Sequence, residues 1–166
     1  MYKIFISSLK VSKNYITKWK SELQLEDDLE VEQLTSLVFT FTSDVTLRWF
    51  QYRISHRILA TNDLLFKMKI LSNKLCSFCK AETENIEHLF IGCIKVENLW
   101  NDINKWLYEK CNYIINYTKY ELMFGKLGKN CDATNMIVLL IKYYIYKSRC
   151  KGQILFFPTV KKEIVE

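Results

Sequence analysis

The 166 residues are the size of a single domain, too short for a complete polymerase or a multidomain enzyme. Apolar residues make up 49% and charged residues 25%, which excludes a disordered tail, and four Gly with one Pro are too few for an all-β chain that must turn repeatedly. The formal charge of +6 excludes a strongly acidic protein and makes the placement of the bases informative. A mainly α fold is the expectation, a compact helical domain with a small metal-binding insert.

In chain order, Ile16, Trp19 and Leu23 recur at helical spacing and predict a first helix capped near Ser12. Val31, Leu34 and Val38 predict a second, begun by Asp27 or Asp28. Ser43 or Asp44 can cap a third, whose inner stripe is Leu47, Phe50, Ile54 and Ile58. After a cysteine-rich stretch, Val96, Leu99, Trp100, Ile103, Trp106 and Leu107 repeat every three or four residues with polar residues between them, the strongest amphipathic helix in the chain. Gly125, Gly128 and Asn130 mark a flexible junction. Thr134 to Lys151 then predicts a helix that is apolar nearly all round and therefore mostly buried. No repeat or Ser/Gly linker divides the chain, so an N-terminal helical segment (1–44), a helix with the cysteine cluster (45–110) and a C-terminal helical segment (111–166) are expected to share one core.

Charge is segregated along this order. Residues 1–20 hold five Lys and no acid, whereas 21–33 hold six acids and no base. Seven bases stand against Asp63 from Arg48 to Lys80, and six stand against none from Lys142 to Lys162. Two basic blocks flanking an acidic middle suggest a polyanionic partner that touches part of the surface. Met1 to Leu9 makes a poor signal peptide, and nothing approaches the ~20 apolar residues that span a bilayer. An intracellular location, nucleus and cytoplasm rather than secretion or membrane, is expected, with the six Cys as thiols or metal ligands.

The informative cluster is Cys76-x2-Cys79-x8-His88-x4-Cys93. Two Cys three positions apart form a tight knuckle that aims both thiolates at one ion, and the returning His and Cys complete the tetrahedral set that Zn²⁺ accepts. Four protein ligands leave no position for water, so one structural Zn²⁺ is expected at this CCHC knuckle. Cys111, Cys131 and Cys150 lack companions and are expected in the core as small hydrophobes.

Residues 52–62 (YRISHRILATN), 75–79 (LCSFC), 82–93 (ETENIEHLFIGC) and Leu99-Trp100, with the tail 142–152, resemble the region downstream of the polymerase in LINE-type non-LTR retrotransposon reverse transcriptases. The matching pieces span 45–160, and one departure is Ala60, where many relatives have Pro. The resemblance implies an accessory domain that helps the parent polymerase domains hold template RNA and target DNA during target-primed reverse transcription.

Catalysis by this chain is not expected. A polymerase needs spatially paired carboxylates to hold two metal ions. The one Asp-Asp pair, Asp27-Asp28, has too little chain before it to supply the other ligand and suits a helix start. The endonuclease that follows the knuckle in one branch of the family carries a Pro-Asp signature, whereas here Pro158 is followed by Thr159.

Contact with RNA or single-stranded DNA is the remaining expectation. Arg48, Trp49, Tyr52, Arg53, His56 and Arg57 interleave cations with rings that can stack, and Lys67, Lys69, Lys74 and Lys80 continue the surface toward the knuckle. Arg57 lies nearer the apolar stripe and can instead anchor a buried acid. Lys142 with Arg149, and Lys147 with Lys151, are expected on a solvated surface. The rival readings are a zinc-stabilised protein-interaction module and a decayed retroelement fragment.

Overall fold

The computed structural model describes residues 14–23, 28–128 and 130–165. Ser12 and Asp27, suggested as helix starts, lie outside the described residues. The described residues form nine α-helices: α1 (Asn14–Leu23), α2 (Asp28–Ser36), α3 (Val38–Phe41), α4 (Val45–Ser55), α5 (Asn62–Lys67), α6 (Ile94–Cys111), α7 (Lys119–Phe124), α8 (Asp132–Cys150) and α9 (Phe157–Val165). Among the described residues there is no strand, and Leu75 and Thr83 form an isolated antiparallel bridge. The expectation of a mainly α chain holds.

Asp44 starts α4 as its side chain accepts from the Leu47 N–H at 2.9 Å, satisfying a donor the helix leaves unpaired. Leu47, Phe50 and Ile54 turn inward as the stripe requires. Ile58 does not: α4 stops at Ser55, Arg57 takes a left-handed turn at φ 57°, and Ile58 is left half exposed while Leu59 is buried. Phe50 lies at the centre of the core, with its ring 6.1 Å from Phe90, 5.2 Å from Tyr143 and 5.6 Å from Tyr146. Trp19 brings α1 onto this body, its indole N–H donating to the Ser55 carbonyl at 2.7 Å and its ring meeting Phe124 edge-on.

Helix α6 buries Val96, Leu99, Trp100, Ile103 and Leu107, as its periodicity predicts, and ends on left-handed Asn112. Helix α8 is buried along most of its length. Two of its bases correct the expected solvated surface. The Lys142 ammonium is buried, donating to Gln51 Oε1 at 2.9 Å and to the Met123 carbonyl at 2.6 Å, and Arg149 pairs with the fully buried Glu84. The junction before α8 is tightly held where it begins, at Gly125 and Lys126. Gly125 has φ 102°, and a Cβ there would meet Leu37 at 3.0 Å and Asn135 at 3.2 Å. Asn135 fixes the same turn by bonding both the N–H and the carbonyl of Lys126. Cys111 and Cys150 are exposed and Cys131 is half-buried, so none is the core thiol expected of it.

Candidate metal centre

The loop between α5 and α6 brings four sequence-distant side chains to one point. The Cys76 N–H donates to the Glu82 carbonyl at 2.7 Å, and the Lys80 N–H returns to the Cys76 carbonyl at 3.0 Å with Lys80 left-handed, which closes the knuckle. The second pair of ligands comes from a π-helical turn, His88–Gly92, immediately before α6. Its wider i→i+5 closure, Cys93 N–H to the His88 carbonyl at 2.9 Å, sets His88 and Cys93 on one side of the chain despite their five-residue separation.

The donor atoms of Cys76, Cys79, His88 and Cys93 all lie within 4.8 Å of one another. Cys76 Sγ and Cys93 Sγ are 3.8 Å apart, and Cys79 Sγ is 3.4 Å from His88 Nε2. With Zn–S near 2.3 Å and Zn–N near 2.0 Å, a tetrahedron has edges of about 3.8 Å between sulfurs and about 3.5 Å between sulfur and nitrogen. The residues therefore fit one Zn²⁺, held by three sulfurs and Nε2. The other ring nitrogen, Nδ1, faces Glu82 Oε2 at 3.3 Å, which orients the ring and favours an Nδ1–H tautomer with Nε2 free to ligate.

Electrostatics differ across the cluster. Burial pushes the Cys76 thiol up to about 12. Burial also raises that of Cys79, yet the N–H groups of Ala81 and Glu82, with His88 and Cys76 beside it, outweigh it and bring the thiol down to about 6. A bound dication supplies the charge that stabilises all three thiolates, and with four protein ligands its part is to hold the loop.

Glu84 is the residue that sequence reasoning missed. Its carboxylate, fully buried, accepts from the Asn62 N–H at 3.0 Å, the Ser77 N–H at 2.6 Å and Arg149 Nε at 2.9 Å. Arg149 also donates to Asn62 Oδ1 at 2.6 Å, and Asn62 Nδ2 to the Leu75 carbonyl at 2.7 Å. The knuckle, the start of α5 and the end of α8 are thus tied at one ion pair. An acid between two ligands carried no signal that it turns inward.

The candidate nucleic-acid residues fall into two groups. On α4, Arg48 donates to the Thr42 and Phe39 carbonyls and lies over the Phe39 ring. Arg53 lies over Tyr146 with its buried Nε unpartnered, and Arg57 pairs with Glu22 while covering Trp19 at 4.0 Å. Trp49 stacks on Tyr52, and Tyr52 on His56. Burial lowers the His56 pKa, opposed by the Tyr52 carbonyl that its Nδ1 meets at 3.0 Å. The arginines thus engage carbonyls, Glu22 and the rings of Phe39, Tyr146 and Trp19, while Trp49, Tyr52 and His56 stack in series. In the second group Lys67 pairs with Asp63, whereas the exposed Lys69, Lys74 and Lys80 meet no acid among the described residues.

Residues 15–100 match the family described as zinc-binding in reverse transcriptase, and the chain belongs to that family. The cluster of Cys76, Cys79, His88 and Cys93 fits one structural zinc, in keeping with the zinc binding that this description names. No curated protein and no solved structure matches the chain.

Proposed function

We propose that this zinc-binding domain serves a LINE-type reverse transcriptase as a nucleic-acid-holding accessory, assisting with template RNA and target DNA and catalysing nothing by itself. The observation that carries the reading is the set of exposed lysines on and beside the zinc-held loop, Lys69, Lys74 and Lys80, whose charges no acid among the described residues offsets. Family membership supports the association with a polymerase, and the sequence resemblance supports the LINE type. Cations on a rigid loop can neutralise phosphates and release counterions.

Titration of RNA or single-stranded DNA against salt tests this. If about four phosphates are neutralised, the log-log slope is near −3 for single strands. A flat response rejects the reading. Primer extension or plasmid nicking by pure protein that disappears with Asp27→Asn and Asp28→Asn rejects the non-catalytic part.

A second reading has its own observation. Phe66, Met68, Ile70 and Leu71 are exposed in succession just before the knuckle, an apolar strip suited to protein contact. A zinc-stabilised interaction module would bind through it without the salt slope.

A further inference from the structure

A cleft of about 780 Å³ lies between the knuckle, one face of α6 and the 152–156 connection to α9. Its size is that of a ligand cleft, which typically runs to ~300–1,000 Å³. The walls differ in chemistry. Lys80 and Lys95 stand on the knuckle side, Phe78, Leu99 and Leu155 supply apolar surface, and Gln153 comes from the connection. Ser77, Asn98 and the acidic Asp102 also line it, so three bases, Lys80, Lys95 and Arg149, stand against one lining acid.

Lys80 and Lys95 are exposed and meet no acid among the described residues, in contrast to the arginines of α4. Lys95 lies in the first turn of α6, where a cation opposes the helix dipole, so local helix stability does not account for it. Arg149 lines the same cleft and is fixed there by Glu84, which joins the wall built by zinc to the wall built by α8.

We infer that this cleft, rather than the α4 face, is the track of a single-stranded RNA. The inference rests on the nucleic-acid reading above and names the site for it. Lys80 and Lys95 would take consecutive phosphates, the apolar wall around Phe78 and Leu155 would receive an unstacked base, and Ser77, Asn98 and Gln153 would offer partners to ribose 2′-hydroxyls. Hydrogen bonding to that hydroxyl distinguishes RNA from DNA. The α4 face offers less: its arginines already serve Thr42, Phe39, Tyr146 and Glu22, and its rings stack on one another.

The test is fluorescence anisotropy of the zinc-loaded full chain with a labelled oligouridine RNA and the matching oligothymidine DNA. Lys80→Asn keeps a residue tolerant of the left-handed turn, and Lys95→Gln keeps a good helix former. Together they should weaken RNA binding about tenfold and flatten the salt slope by about 1.4, the share of two phosphates on a single strand. Arg48→Gln with Arg53→Gln should stay within twofold of the parent. The double cleft variant binding as tightly as the parent overturns the inference, as does DNA binding equal to RNA. If only the α4 variant loses affinity, the nucleic-acid reading stands and the cleft falls. Absence of any binding by the parent removes both. Should the cleft variant lose its zinc, crosslinking of 4-thiouridine RNA to the parent decides: adducts within 77–80 or 152–157 support the cleft, and adducts confined to 48–57 overturn it.

Discussion

The zinc-held loop and the helices around it keep their chains in place by different chemistry. In the helical body Phe50, Ile54, Ile103, Ile141 and Ile145 are wholly removed from water, and each such side chain contributes about 1.5–3 kcal/mol by burial. From Phe66 to Glu87 the buried residues are Cys76 and Glu84, a metal ligand and a carboxylate. That stretch has almost no apolar interior, so a metal ion and one ion pair must supply what burial supplies elsewhere. The two regions should therefore fail separately, and the most direct way to break the comparison is to remove one support at a time.

Zinc removal has the largest expected effect. Structural zinc in small motifs contributes on the order of 10 kcal/mol of binding free energy. Cys79→Ser or chelation should abolish amide-exchange protection from Leu75 to Gly92 while α8 keeps its own, since Val138, Ile141 and Ile145 pack without help from the metal. Elemental analysis of the parent should return one zinc per chain. Simultaneous loss of protection in α8 would show that the two regions are a single cooperative unit.

Glu84→Gln cuts the joint between them. It leaves the Arg149 guanidinium, whose side chain is 9% exposed, without its counter-charge, and breaking such a pair from one side costs about 3–5 kcal/mol. Chemical denaturation should show that loss. Glu84→Met with Arg149→Met should cost less than the two single changes added together, because no buried charge is left over.

How much of this was legible in the sequence follows from how far apart the interacting residues lie. The zinc ligands, the Asp44 cap and the stripe of α6 are local patterns, and spacing alone reveals them. Glu84 and Arg149 are separated by 65 residues, and Lys142 and Gln51 by 91, so nothing in either neighbourhood signals the pairing and both bases read as surface. Ile58 was misplaced because apolar periodicity ran on past Ser55, where the left-handed Arg57 had already ended the helix. The π turn left no trace either, since its extra residue per closure follows from the need to bring His88 and Cys93 together. Gly125 carried a turn signal, but only the closeness of Leu37 and Asn135 shows that the turn is rigid.

Inside the helical body the comparison can be sharpened with a purely local change. Asp44→Ala removes the side-chain acceptor for the Leu47 N–H and should cost about 1 kcal/mol of global stability, the usual worth of such a cap. Because α4 carries Phe50 into the core, the loss should appear in the unfolding of α4 and α8 together. Zinc content should not change. A fall in zinc occupancy would instead mean that the end of α4 supports the knuckle.

The smallest net effect at mildly alkaline pH is expected from Lys142→Met, which asks whether the body tolerates a charge in place of apolar contact. Burial brings the Lys142 ammonium down to about 7 from its usual 10.5. Between those values the unfolded chain holds a proton that the folded chain has released, so stability attributable to this residue rises as pH increases from about 7 to 10.5. Below that window both states are protonated and the burial penalty is present in full; above it both are neutral and the penalty is gone. Methionine removes the penalty, and it also leaves Gln51 Oε1 without the donor at 2.9 Å, a loss of about 1–3 kcal/mol. The Met123 carbonyl keeps a partner, since Gln51 Nε2 donates to it at 3.0 Å. The variant should therefore be the more stable protein at pH 6 and the less stable one at pH 10, with urea denaturation curves crossing between them. Parallel pH dependence in the two proteins would show that Lys142 keeps its proton when buried, with Gln51 and the Met123 carbonyl sufficient to hold the charge.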